Sequence, residues 1–188
     1  MANHCTEYKF TFSKARRHLQ LVFRHRFTVC RYCWISGLYW QGLVHDLSKF
    51  SPTELIESVQ FYTGTRSPVD TAREINGYSA AWLHHKGRNR HHYEYWIDSP
   101  DHQGIPAKMP FRYALEMVCD YIAAGKTYEG KDWTRQTPQN FWIKKKQTAN
   151  IHPDTAAFLD YAFGEIAVHG LSVLSGLRHC QNDYDHRA

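Results

Sequence analysis

Apolar residues recur along this chain at helical rather than strand spacing. Over residues 10–35, Phe12, Leu19, Val22, Phe23, Phe27, Val29 and Ile35 mark an irregular apolar stripe on a long basic helix. Gly37 and Gly42 then bracket a short connection into a helical segment that holds His45 and Asp46. Ser51-Pro52-Thr53-Glu54 predicts a fresh helix start, with Ser51 as N-cap, Pro52 in the first turn and Glu54 closing a capping box. That helix carries Leu55, Ile56, Val59, Phe61 and Tyr62 and stops at Gly64. From about residue 71 a single helix is expected to run through Ala80-Ala81-Trp82-Leu83 into a histidine-rich stretch. Residues 99–108 form a Pro/Gly loop, a candidate lid. Pro110 opens a helix whose apolar face is Phe111, Ala114, Leu115, Val118, Tyr121 and Ile122, ending at Ala123-Ala124-Gly125. Two last helices, about 138–148 and 153–169, flank Asn150-Ile151-His152-Pro153. No strand alternation and no repeat emerges. The pattern predicts an all-α protein, with one helical domain over 1–169 and a weakly ordered C-terminal tail over 170–188.

Composition narrows the class. With 188 residues, 43% apolar and 15% aromatic, the chain can bury a substantial core and is not of disordered type. The formal charge of +5 favours an anionic partner, but 18 acidic residues dilute it and no basic block exceeds Lys144-Lys145-Lys146. A small phosphorylated molecule fits that excess at least as well as nucleic acid does. Five cysteines (Cys5, Cys30, Cys33, Cys119 and Cys180) with one close pair argue against a disulfide framework. Cys30 and Cys33 read as packed or exposed helix cysteines. No signal peptide opens the chain and no apolar run reaches membrane-spanning length, so a cytoplasmic protein with no membrane partner is expected.

Thirteen histidines are the outlying figure. His45-Asp46 lies in the apolar frame of Leu43, Val44, Leu47 and Phe50, where an unpaired carboxylate would be costly. An imidazole beside a carboxylate suits a divalent cation. On a helix Lys49 returns to the side of Asp46, where it could neutralise the carboxylate or hold an anion. The second informative stretch is His84-His85-Lys86-Gly87-Arg88-Asn89-Arg90-His91-His92, set between Trp82-Leu83 and Tyr95-Trp96. His85 and His92 would stand roughly 10 Å apart on a continuous helix, too far for one ion unless Gly87 breaks it. Asp120 sits among Val118, Cys119, Tyr121 and Ile122, which makes it a paired or a ligating carboxylate.

The order His25, His45-Asp46, histidines at 84–92, then Asp120 resembles the HD-domain superfamily of metal-dependent phosphohydrolases. Blocks 42–52, 81–96 and 109–126, together with Ile151-His152-Pro153-Asp154-Thr155, look like a little-characterised HD-related family of bacteria and phages. That resemblance spans roughly residues 15–160 and implies a single-domain HD-like bundle with a metal site between central helices. The ligands it implies are His25, His45, Asp46, His85, His92 and Asp120, holding one or two divalent ions (Mn, Fe, Zn, Ni or Mg). Asp46 would bridge the two. His18 stands as the alternative to His25, and His84 and His91 as near-equivalents of His85 and His92. Catalytic roles would fall to Asp46, Lys49 and His92, and substrate contacts to Lys49, Arg88, Asn89, His91 and Arg112. The implied activity is hydrolysis of a nucleotide or other small phosphorylated substrate by a metal-activated water. Two rivals remain: an HD-fold di-iron oxygenase, and a nucleotide- or nucleic-acid-binding module whose segment 84–96 contacts phosphates and stacks bases.

Overall fold

The computed structural model describes residues 8–98 and 106–186, so most of the candidate lid (99–105) lies outside them. Every regular element among the described residues is helical, and the chain is all-α as the pattern predicts. Helix α1 (Phe12–Ile35) starts at Thr11, whose hydroxyl accepts from the Lys14 N–H. Its buried face is His18, Val22, His25, Val29, Tyr32 and Cys33, a three-and-four spacing on one side. The stripe expected from apolarity alone is therefore only partly the inner one: Phe12, Phe23, Phe27 and Ile35 face solvent. Two histidines occupy core positions instead, which is the first structural sign of a site.

Helix α2 (Tyr39–Val44) crosses α1 at Gly42, where a Cβ would lie 3.0 Å from Cys33 Cβ and 3.2 Å from Cys30 Cα. The two cysteines thus serve close helix packing, with Cys33 buried and both thiols free. Helix α3 (Pro52–Gln60) begins under Ser51, which accepts from the Glu54 N–H as expected. The single helix expected from about residue 71 is two, α4 (Pro68–Asn76) and α5 (Ala80–Lys86). Gly77 takes φ +79°, a left-handed turn that ends α4, and Ser79 starts α5 by accepting from the Trp82 N–H at 3.0 Å.

Helix α6 (Phe111–Glu129) passes through Gly125 instead of ending there. Gly125 is a packing position: a Cβ would meet Thr137 Cγ2 at 3.0 Å and the Trp133 ring at 3.1 Å. Helices α7 (Thr137–Lys146) and α8 (Pro153–His169) follow. The core joins Val29 and Cys33 of α1, Leu115, Val118 and Ile122 of α6, and Leu159, Phe163 and Ile166 of α8. Each such side chain contributes roughly 1.5–3 kcal/mol by leaving water.

The tail departs from expectation. Residues 170–186 fold as short 3₁₀ and α turns, including α9 (Leu174–Leu177) and α10 (Gln181–Asp185), and bury Leu174, Leu177 and Tyr184. A closed chain of hydrogen bonds ties them down. Met109 N–H donates to Thr155 Oγ1 (3.4 Å), Thr155 to Tyr184 Oη (2.8 Å), and Tyr184 to the Met109 carbonyl (2.6 Å). Pro153–Asp185 is also long and apolar enough, at mean hydropathy 1.2, to cross a membrane by length and composition alone, contrary to the sequence reading. Gly170, at φ +75°, breaks that stretch, and its inner side chains belong to the core.

Candidate metal centre

Helix α2 ends at His45, where the backbone turns extended (ψ 126°), and Asp46 adopts the left-handed region (φ 54°, ψ 27°) before a 3₁₀ turn over Leu47–Phe50. The pair therefore sits in a break between helices and not within one. Asp46 is the only non-glycine residue with positive φ among those described. Aspartate tolerates that conformation better than most, at a cost of about 1 kcal/mol. Arg26 from α1 secures the break, donating Nε to the His45 carbonyl (2.7 Å) and Nη2 to that of Leu43 (3.0 Å). The turn directs both neighbouring side chains inward, with His45 1% and Asp46 2% exposed.

Three other elements converge on the pair. His25 Nε2 of α1 lies 3.8 Å from Asp46 Oδ2 and 3.1 Å from Asp120 Oδ1 of α6. Helix α5 ends at Gly87, and the turn that follows brings His91 and His92 back beside His85. This is the break that removes the 10 Å separation of a continuous helix. His85 Nε2 and His91 Nε2 stand 3.3 and 3.4 Å from Asp46 Oδ1. Oδ2 of the same carboxylate faces His45 Nε2 at 3.4 Å. The two oxygens of Asp46 thus face different histidines.

Ligand atoms fall in three overlapping groups, each within 4.8 Å: Asp46 with His85, His91 and His92; Asp46 with His25 and His45; and Asp120 with His45 and His91. The decisive detail is what these atoms lack. Nε2 of His25, His45, His91 and His92, and Oδ1 of Asp46, are buried with no hydrogen-bond partner. Orphaned buried polar atoms are rare because each one costs about 1–3 kcal/mol. Here they lie close to one another, while the far nitrogens of His45, His91 and His85 meet carboxylates. His45 Nδ1 donates to Glu116 Oε1 at 2.9 Å, and His91 Nδ1 stands 3.2 Å from the same oxygen. His85 Nδ1 donates to Glu54 Oε2 at 2.7 Å. Donation at Nδ1 leaves the Nε2 lone pair free to ligate. These buried His/Asp clusters could hold a metal ion, and their donor set of imidazole nitrogens and carboxylate oxygens fits a divalent transition metal.

Charge state follows from the same packing. Burial alone would lower the pKa of His45, but Asp46, Asp120 and Glu116 outweigh it and push it up to about 10. Burial would raise the Asp46 carboxyl, yet His45, Lys49 and His85 hold it well below the usual range. Asp120 behaves alike: burial opposes ionisation, and the nearby His25 and His45 rings prevail, holding it well below the usual range. Burial keeps His25 and His92 below the ordinary histidine value, so both are neutral donors. Lys49 Nζ rests 2.8 Å from Asp46 Oδ2, the neutralising contact expected from their spacing.

The remaining sequence candidates scatter. His91, read as a substrate contact, lies inside the cluster at 2% exposure. His84 stays at the rim, donating to Glu54 Oε1 at 2.6 Å, and His18 lies two turns from His25 with its ring against Tyr62. Asn89 does not face the cavity: its amide donates to Ser48 Oγ (2.7 Å) and the His85 carbonyl (2.8 Å), bracing the 3₁₀ turn against α5. Arg88 and Arg112 are exposed and outside the cavity lining, the latter with its guanidinium over the Tyr113 ring. Sequence reasoning missed Glu116 and read Glu54 only as a cap. Glu116 did carry a signal: it stands four residues before Asp120 in an apolar helix, so both carboxylates share a face. A cavity of about 540 Å³ opens from Asp46, His85, His92 and Asp120 toward the surface, with Lys49 on its wall.

No curated protein and no solved structure matches the chain. One family model does, over residues 14–165, which takes in every residue of the cluster. The chain belongs to that family, DUF5662, a family of unknown function.

Proposed function

We propose that this protein is an HD-type, metal-dependent phosphohydrolase acting on a small phosphorylated molecule. The observation that carries the reading is the convergence of buried, unpartnered Nε2 atoms on Asp46 while Glu116 and Glu54 hold the opposite ring nitrogens. The ligands in this reading are His25, His45, Asp46, His85, His91, His92 and Asp120, with Asp46 shared between two lobes. One or two divalent ions held there would supply a water acidified toward neutrality. The residues do the rest. Glu116 and Glu54 fix the tautomers of His45, His91 and His85. Lys49 Nζ, on the cavity wall, offsets charge on the phosphoryl oxygens as it builds. His92, kept neutral by burial, offers an uncharged ring nitrogen to the cluster.

The same donor set suits two irons, so an oxygenase is the competing enzyme reading, favoured by the two-sided arrangement around Asp46. The third expectation, a binding module built on segment 84–96, finds less support: His85 and His91 are buried and directed inward, and Arg88 is exposed away from them. The test measures bound metal in wild type and Asp46→Asn, then release of phosphate from aryl and nucleoside phosphates against oxygen uptake. Metal-dependent phosphate release that disappears in the variant supports the hydrolase. Iron with substrate-dependent oxygen uptake and no phosphate release overturns it in favour of the oxygenase. Metal retained in the variant overturns the site itself.

A further inference from the structure

We propose that the substrate carries a single phosphoryl group on an uncharged, ring-bearing apolar body, so that polyphosphates are poor ligands. The inference rests on the phosphohydrolase reading for the role of the metal end and on the cavity for everything else.

Away from the metal cluster, the charged residues lining the cavity among the described residues are Arg66, Arg73, Lys145, Asp70, Glu94 and Glu129, three of each sign. Each already has a partner. Arg66 forms a two-pronged pair with Glu74 and donates Nε to Thr71 Oγ1 at 3.1 Å. Arg73 pairs with Asp70 at 3.3 Å and lies over the Trp82 ring, and Lys145 stands 3.6 Å from Glu94. Glu129 accepts from Thr137 Oγ1 at 2.8 Å. A second or third phosphate reaching outward would meet a lining of zero net charge and would have to break existing pairs to find a cation. Among the described residues lining the cavity, Lys49 is the one cation next to the cluster, and its partner is the very carboxylate a metal would take over. One anionic head is what that end accommodates.

The lining also carries a large apolar share: Leu21, Val22, Val69, Trp82, Tyr121 and Phe141. Tyr121 and Phe141 meet edge to face at 5.1 Å, and Trp82 stands against His85 and His92. Such walls favour rings, which bury large area at little conformational loss. A volume of about 540 Å³ lies within the range of small-molecule pockets.

The experiment titrates the full-length, manganese-loaded protein with phenylphosphonate, methylphosphonate and methylenediphosphonate, none of which it can hydrolyse as an ester. Phenylphosphonate is expected to bind at least tenfold more tightly than methylphosphonate, with methylenediphosphonate within threefold of the latter. Phe141→Ala, at a half-exposed position that threatens no core packing, should shrink the aryl preference below threefold with metal content unchanged. Tightest binding of the diphosphonate, or an aryl preference untouched by Phe141→Ala, overturns the proposal. Tight aryl binding by a protein that hydrolyses no phosphate ester would sink the hydrolase reading and leave the ligand class standing. Full metal content with no phosphonate bound would overturn both.

Discussion

His45 Nδ1 lies 2.9 Å from Glu116 Oε1, on the side of the ring turned away from the metal cluster. Burial raises the Glu116 carboxyl's pKa, but His91 and His45 hold it below its ordinary value, so it remains an acceptor. The contact keeps hydrogen on Nδ1, so that an ion displacing the Nε2 proton finds that nitrogen free to ligate. Glu116→Gln should therefore weaken metal binding by about 10–100-fold without emptying the helix bundle of structure. Competition against a chelator of known affinity, with circular dichroism as control, reads both. An affinity within twofold of wild type would mean that the ring orientation is set elsewhere.

Asp46→Asn separates ligation from backbone conformation. Asparagine accepts the left-handed φ of position 46 nearly as well as aspartate, so the turn survives. The amide nitrogen cannot ligate, and the charge shared by the two lobes is gone. Bound metal should fall to background by elemental analysis while the helical spectrum is kept. Retained metal would overturn the site as assigned, because Asp46 is the ligand that two of its groups share.

How far the sequence disclosed this site depends on whether the information is local. His25, His45, Asp46 and Asp120 stand out because polar groups interrupt apolar frames, a pattern visible along a single segment. The two-helix split is local, marked by Gly77 and the Ser79 cap, but the close spacing of the flanking helices hid it; the inward return of His91 and His92 is not local. That return depends on how α5 docks against α3 and where Gly87 lets the chain turn, so His91 and His92 could not be told apart by spacing. Glu54 shows the opposite failure: a local rule explained it as a capping-box residue, and tertiary packing gave its side chain to His84 and His85. Arg88 and Arg112 have the right charge, but exposure cannot be read from composition. The tail looked weakly ordered because its helices are short, and its stability comes from contacts 29 and 75 residues away in sequence.

Lys49→Met should act on turnover more than on metal retention. Its ammonium contacts Asp46 but belongs to none of the ligand groups, and it faces the cavity. Removing a preorganised cation beside a phosphoryl group is expected to lower kcat by about 10²-fold. Steady-state kinetics on an aryl phosphate, paired with metal analysis, checks this; a change confined to KM would assign Lys49 to ground-state binding.

Tyr184→Phe tests the tail. The substitution removes the hydroxyl that links Thr155 to the Met109 carbonyl in a buried setting. Leaving those partners unsatisfied should lower stability by about 1–3 kcal/mol in denaturant unfolding. No change would mean that residues 174–186 pack on the bundle without supporting it.

Metal uptake should release protons. In the metal-free cluster His45 holds a proton up to about pH 10, because the stabilisation by Asp46, Asp120 and Glu116 exceeds the burial penalty. An ion taking Nε2 must displace that proton, so protons oppose binding at any pH below about 10. Asp46 and Asp120, both held well below the ordinary carboxylate range, have none to give at neutral pH, and His25 and His92 are already neutral. Affinity should accordingly rise with pH by about one decade per unit for each proton released. Calorimetry of Mn²⁺ binding in two buffers of different ionisation enthalpy at pH 7 counts the protons directly. At least one per protein is expected, and it should persist in Glu116→Gln, because Asp46 and Asp120 raise the His45 pKa more than Glu116 does. A count of zero in the wild type would mean that His45 is neutral before the ion arrives, and that the acidic surround acts only to orient the ring.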